Sequence, residues 1–324
     1  MLMQPPSPIR PPVARVAVLL AAVALATCFA PWISRASGSD GEREIPLTLL
    51  SFNIRLASAP DGPDGWEYRR GLAFDVIRKL NPDIVGFQEP ELEQIHDLID
   101  AFGDEYGIVG RSAGDGAPLT ADKADGKFNA VMYRTDRFRL RYHETFWFSE
   151  TPNEPGSVGW DAALPRIATW VKLDDRHSGE TLYVYSVHLD YASQRAREQS
   201  VALLLGEFLE RPTDGPVFVL GDFNANELNP AMRLLLDDPA KAGGRGALDP
   251  RPLADTYRVL YPDVDLDEIG TFHDFTGEPL TTKIDFVLAP IEIPVLEAGI
   301  IRTHADGRYP SDHFPVYAVV DVGR

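Results

Sequence analysis

The 324-residue chain carries one cysteine, Cys28, and it lies in an N-terminal segment that reads as removable. Without it the chain has no disulfide framework, no thiol nucleophile and no cysteine-based metal site. Basic residues are also scarce. Lys and Arg number 31 against 49 Asp and Glu, a formal charge of −18. Such a surface repels polyanions at long range. It serves solubility first, and a cluster of its acids can hold a divalent cation. No apolar run reaches the ~20 residues that a spanning helix needs. No internal repeat and no low-complexity segment is visible.

Arg10 and Arg15 precede an uninterrupted apolar run, VAVLLAAVALATCFA (Val16–Ala30). SRAS follows, with Ser34 and Ala36 at the two small-residue positions a signal peptidase reads. The pattern predicts a signal peptide over residues 1–36 and a secreted or periplasmic protein. An uncleaved membrane anchor is the alternative, and membrane contact is expected only if the segment is retained. A lipoprotein attached at Cys28 ranks third, because Thr27 fits poorly before such a cysteine. Cleavage removes Arg10, Arg15 and Arg35 and no acid, which deepens the charge from −18 to −21. Residues 37–44 (SGSDGERE) form a polar linker. Residues 45–324 show no internal linker and read as one domain.

Within that domain, apolar patterning predicts strands over 45–55, 83–89, 128–134, 165–173, 181–189, 216–224, 283–290, 297–303 and 314–322. In the first, Leu47, Leu49 and Ser51 alternate against Thr48, Leu50 and Phe52. Helical spacing is found over 66–80, 92–102 and 193–209, the first ended by Asn81-Pro82. Strands interleave with helices and hairpin-like pairs, which predicts a mixed α/β or α+β domain with one or two large sheets.

The stretch FVLGDFNANE (218–227) runs an apolar strand into Asp222 and Asn224. G-D-x-N is turn chemistry anywhere. Residues i and i+2 of a strand also share a face, where a carboxylate and an amide suit a hydrated cation or a phosphoryl oxygen. Similar punctuation recurs. Asn53 lies in the first strand, Gln88 and Glu89 end IVGFQE, and Ser186, His188 and Asp190 end YVYSVHLD. Asp285 sits between Ile284 and Phe286, and Asp312 and His313 precede the last strand. Strand ends that converge on one rim make a site. Carboxylates, amides and histidines without thiolates favour Mg²⁺, Mn²⁺ or Ca²⁺. A lone Asp285 in an apolar strand calls for a partner, and a histidine would serve.

LLSFNIR, PDIVGFQE, SVHLD, GDFNA, KIDFVL and SDHFPV resemble, in this order, the motifs of the endonuclease/exonuclease/phosphatase superfamily, over about Leu47 to Val322. The resemblance is to a bacterial secreted branch of unassigned substrate. It implies an α/β fold, a four-layer α-β-β-α sandwich like that of DNase I, as a single domain. It also implies hydrolysis of phosphate esters with Mg²⁺ or a similar ion. Carried over by position, Glu89 resembles the main metal ligand, with Asn53 beside it and Asp312 as a further metal-side carboxylate. Asp222 and Asn224 resemble the pair that handles the attacking water and holds the phosphate. Asp285 resembles the acid that orients a histidine, here His313. His188 resembles the histidine that contacts the phosphate or helps the leaving oxygen depart. One departure is Ser186, where the family's motif usually begins with Asn.

Basic DNA-gripping loops are not evident. A small phosphate ester, nucleotide or lipid headgroup is therefore the expected substrate, a secreted nuclease the alternative, and a catalytically idle binding domain the second alternative. No stable protein partner is implied. The segment 146–170 holds Trp147, Trp160 and Trp170 around Arg166 among Gly and Pro. It reads either as a specificity pocket or as a long loop pinned by its tryptophans. Arg166, Arg55 and His273 are candidate substrate-binding residues, and Arg69 is a further candidate for the same rim. His96, His143, His177 and His304 show no partner pattern.

Overall fold

In a computed structural model, the described residues are 44–211, 213–236 and 253–323. The expected signal segment and most of the polar linker lie outside them. No helix among the described residues is long and apolar enough to cross a membrane. The chain builds β1 (Pro46–Asn53), α1 (Trp66–Leu80), β2 (Ile84–Gln88), α2 (Leu92–Phe102), β3 (Tyr106–Val109), β4 (Asn129–Arg134), β5 (Phe138–Trp147) and β6 (Ile167–Asp175). It continues with β7 (Thr181–His188), α3 (Gln194–Leu209), β8 (Val217–Asp222), α4 (Pro230–Leu236), β9 (Leu253–Asp255), α5 (Thr256–Leu260), β10 (Asp285–Pro290), β11 (Val295–Ile300) and β12 (Val316–Asp321).

Two six-stranded sheets result, ordered β11-β12-β1-β2-β4-β3 and β5-β6-β7-β8-β10-β9. Each contains one parallel pair, β1–β2 and β7–β8, crossed by α1 and α3, and is otherwise antiparallel. The sheets therefore share a plan that no sequence repeat announces.

Alternation in β1 sends Leu47 and Leu49 into the layer between the sheets. Val316, Ala318 and Val320 of β12 join them there, and Val184, Phe218 and Leu220 fill it from the facing sheet. Leu50 and Phe52 point the other way, into a layer with Phe74, Ile77, Ile95 and Leu98 of α1 and α2. On the far side of the second sheet, Tyr185 and Val219 meet Val201, Leu204 and Phe208 of α3. The four layers are α-β-β-α, as the resemblance implies. The sheets approach closely at Gly86, where an added Cβ would lie 2.7 Å from Leu220 Cβ.

Arg137 ties the sheets together. Its guanidinium pairs bidentately with Asp175 of β6, at 3.0 and 2.8 Å, and reaches Pro46 O and Asp83 beside the other sheet.

Several elements escape the apolar pattern. The edge strands β3 and β5 lack it, and in β5 much of the strand faces solvent, so its charged sequence FRLRYHETFW hides a strand. The helices α4 and α5 are too short for periodicity to show. The strand expected at 297–303 is β11, which lies slightly earlier and carries a register irregularity between Val295 and Glu297.

Candidate active site

The carboxyl ends of the parallel strands β1, β2, β7 and β8 carry Asn53, Gln88, His188 and Asp222, and Glu89 follows β2 directly. Register does the assembly. Asp222 stands opposite His188 on one side and Asp285 on the other, so three adjacent strands of one sheet present these groups together. The other sheet reaches across, with Asn53 Nδ2 donating to Asp222 Oδ2 at 3.0 Å. Just before β12, Ser311 Oγ donates to Asn53 O at 2.7 Å and fixes the segment that carries Asp312 and His313.

His313 Nδ1 lies 2.9 Å from Asp285 Oδ2, and its Nε2 lies 3.9 Å from Asp222 Oδ2. Burial works against the imidazolium, but the charges of Asp285 and Asp222 override it and raise the His313 pKa to about 10. Burial, aided by the neighbouring Asp285, pushes the Asp222 carboxyl up to about 7. The opposite holds for His188. Burial, then the charges of Arg166 and Lys127, drive its pKa well below the usual value. Arg166 Nη1 sits 3.0 Å from His188 Nε2. Arginine can only donate, so this nitrogen is the acceptor of a neutral ring. The 3.4 Å approach of His188 to Asp222 is then a contact, not an ion pair.

Asp222 and Asn224 are joined by a turn rather than by strand alternation. The strand stops at Asp222, Asn224 takes a φ of 47°, and its N–H donates to Asp222 Oδ1 at 2.9 Å. Its side-chain amide donates to Leu189 O. Turn and site are thus the same structure. Arg55 and Glu89, at φ 59° and 71°, share this left-handed backbone, which costs a non-glycine residue on the order of 1 kcal/mol and recurs at functional sites.

Glu89 is held by Lys127 Nζ at 2.6 Å and by the Leu56 N–H. Burial raises its pKa, yet Lys127 outweighs burial and holds it below the ordinary range. Asp312 is buried beside Arg55, whose Nη1 is 3.4 Å from Asp312 Oδ2. Burial raises the Asp312 pKa against the pull of His313 and Arg55. Glu89, Asp312 and Asn53 carry hard oxygen donors of the kind a divalent cation takes, the Asn53 Oδ1 accepting meanwhile from Arg55 N at 3.1 Å. Asp222, Asp285 and His313 also offer ligand atoms within 4.8 Å of one another. In that second group, however, His313 Nδ1 is already committed to Asp285. Asp285 Oδ1 is buried with no hydrogen-bond partner among the described residues, and such an acceptor suits a further donor or positive charge.

Arg166 is buried on the rim, with Nε 3.4 Å from Asp190 Oδ2. Asp190 also accepts from the N–H groups of Ala163, Ala192 and Ser193, so it fixes the loops on both sides of Arg166. A cleft of about 380 Å³ opens beside His188 and Arg166. Leu56, Ala113, Leu164 and Pro165 form apolar walls, and Glu91, Asp125 and Lys127 add charge. Lys127 is a site residue that sequence reasoning missed. Its only signal was a basic residue after Gly126, just ahead of a strand.

Other expectations need correction. His273 is fully buried, stacks on Phe314 at 3.9 Å, and uses Nδ1 to accept from Gly277 N. Burial lowers its pKa to about 4. It packs against Phe314 and is not among the residues that line the cleft. Arg69 is also buried, where it donates to the carbonyls of Ile54, Arg55, Asp64 and Pro310 and so braces the rim from beneath. The tryptophans of 146–170 do not line the cleft. Trp147 Nε1 donates to Ala113 O, Trp170 stacks on Tyr185, and Trp160 packs against the α3 side of the core. The pinned-loop reading is the one the structure shows. Ser186 donates to Phe87 O and accepts from Gln88 Nε2, which makes it a polar tie between the sheets under the rim.

A profile described as Endonuclease/Exonuclease/phosphatase family matches residues 50–313, and the chain belongs to that family. A family member from Bacteroides thetaiotaomicron superposes with a TM-score of 0.73 at 28% identity, covering 86% of this chain and 98% of that one. A mannosyl-6-phosphatase from the same organism gives 0.70 at 30% identity, covering 84% and 98%. Among curated relatives, the Ccr4 exoribonuclease subunit of Coccidioides immitis is 27% identical over 194 residues, covering 53% of this chain and 25% of that one. The chain spans 60% or less of the length of the curated relatives it matches.

Proposed function

We propose that this family member hydrolyses a phosphate ester of a small molecule with the help of a divalent cation, Mg²⁺ or else Mn²⁺ or Ca²⁺. The observation that carries this reading is the convergence of Asp222, Asp285, His313 and His188 beside the oxygen donors of Glu89, Asp312 and Asn53. Those three oxygen donors would hold the cation. When bound, it supplies charge neutralisation at the phosphoryl oxygens and polarises the ester.

The chain's own groups do the rest. Asp222, with a pKa near neutrality, accepts the proton of an attacking water, a task that calls for a base matched to the working pH. His313, kept protonated by Asp285, donates to the oxygens on which negative charge grows. Arg166 lines the cleft, where His188 and Asp190 fix the orientation of its guanidinium. Arg55 braces Asp312 and shares its charge with Asp61. Asn224 holds the Asp222 carboxylate by its backbone N–H.

The cleft sets the substrate class. Its volume suits one small molecule. Apolar walls with two carboxylates, Glu91 and Asp125, fit a hydroxyl-bearing group such as a sugar on the ester oxygen. The similarity to a mannosyl-6-phosphatase supports a sugar phosphate. The second reading, an exonuclease, is favoured by the Ccr4 relative and opposed by the charge of −18. The N-terminal sequence pattern supports a location outside the cytoplasm. Phosphate release from hexose 6-phosphates, run beside cleavage of a labelled single-stranded oligonucleotide, separates the two readings. Hexose phosphate turnover without oligonucleotide cleavage is the expected result. The reverse pattern transfers the assignment to a nuclease.

A further inference from the structure

Glu89, the carboxylate best placed to hold a cation, already has one. Lys127 Nζ lies 2.6 Å from Glu89 Oε1. The backbone around Lys127 is fixed, because its carbonyl accepts from Ala113 N at 2.8 Å and Phe128 N donates to Pro90 O at 2.7 Å. The ammonium can leave Glu89 only by rotation of its own flexible stem. That side chain is 26% exposed and lines the cleft together with Arg166 and His188. Its alternative surroundings are therefore the space where the substrate's anionic group would sit.

We propose that Lys127 is an exchangeable counter-ion, holding Glu89 until a divalent cation takes that carboxylate and then gripping the substrate's phosphate from the cleft beside Arg166. The proposal rests on the reading of Glu89 as a metal ligand. An ammonium and a divalent ion cannot share one carboxylate oxygen at contact distance, because their mutual repulsion is strong at so short a range. A cation on Glu89, even at Oε2, which accepts from the Leu56 N–H, repels the ammonium on Oε1 and drives it toward the cleft. Once free, it adds a point charge to the guanidinium of Arg166, and the two suit an anion. Lys127 thus opposes metal binding in the free protein and favours phosphate in the loaded one. By linkage, phosphate must then tighten metal binding.

The test is calorimetric titration of Mn²⁺ into the wild type and Lys127→Met, with and without inorganic phosphate, after melting curves show that both proteins are folded. Without phosphate, Lys127→Met should bind Mn²⁺ at least about fivefold more tightly than the wild type, and the tightening of Mn²⁺ binding by phosphate should shrink by a similar factor. Lys127→Arg should keep both wild-type behaviours. Unchanged Mn²⁺ affinity, or unchanged phosphate coupling, in Lys127→Met overturns the proposal while leaving Glu89 as a metal ligand. Absence of Mn²⁺ binding in every protein removes the metal reading itself and the role of Lys127 with it.

Discussion

Asp222→Asn should abolish turnover and, in alkaline solution, relieve the metal-free fold of a burden. Asp222 is 1% exposed and faces Asp285 across the β8–β10 pair. Its carboxyl is raised from 3.8 to about 7, chiefly by burial. A carboxyl whose folded pKa is raised binds more protons when folded than when unfolded, so stability falls as pH climbs between the two values. Over that interval, about 1.36 kcal/mol for each unit of pH gives about 4 kcal/mol as an upper bound. The asparagine cannot ionise, so it escapes this loss. It carries a constant cost instead, because it cannot accept from both Asn53 Nδ2 and Asn224 N, and an orphaned buried donor costs about 1–3 kcal/mol. His313 stays protonated across the window in the folded wild type, but Asp222 is one of the charges that hold it so, and the variant's difference with pH therefore reports Asp222 together with its coupling to His313. Urea unfolding in EDTA from about pH 4 to about pH 7.5 should show the variant gaining about 3 kcal/mol on the wild type. For a domain of this size that is a relative rise in Tm of about 6 °C. Parallel curves for the two proteins would refute the raised Asp222 carboxyl, and retained turnover would refute its role as base.

Replacement of His313 by Ala should leave the fold intact and lower kcat by about 10²–10⁴-fold, the usual range for a positioned acid–base group. Asp285→Asn should cost less, because it mis-orients the ring without deleting it, and steady-state kinetics of both variants checks the ranking. Arg137→Ala leaves Asp175 buried without its partner and should destabilise by about 3–5 kcal/mol in urea unfolding, with little direct effect on the rim. Gly86→Ala forces a methyl against Leu220 and should cost about 1–3 kcal/mol by the same measurement. Mg²⁺ at about 100 times its Kd should stabilise the protein by about 2.7 kcal/mol, an effect that thermal melts should show to vanish in Glu89→Gln.

The rim was legible in the sequence because its residues sit where apolar strands end, and strand ends in a two-sheet fold converge. Asp285 illustrates this. A carboxylate between Ile284 and Phe286 demands a partner, and the structure supplies His313 from 28 residues away. What stayed hidden depends on solvent or on neighbours remote in sequence. The strand β5 faces water and so lacks an apolar stripe. Lys127 is an ordinary lone lysine until β2 brings Glu89 beside it. His273 and Arg69 have the residue types of a substrate site, yet burial makes one a stacking partner and the other a clamp on backbone carbonyls. Polar residue type alone did not separate the two uses, because that depends on which carbonyls and rings the fold brings within reach.

The most direct measurement is release of nitrophenol from p-nitrophenyl phosphate and its bis ester by residues 37–324. Mg²⁺, Mn²⁺ or Ca²⁺ would be supplied, with EDTA and Asp222→Asn as controls. Metal-dependent turnover, lost in EDTA and in Asp222→Asn, is the expected result, with the monoester preferred if the small cleft serves a sugar phosphate. Turnover that survives EDTA, or that Asp222→Asn retains in full, would contradict the account.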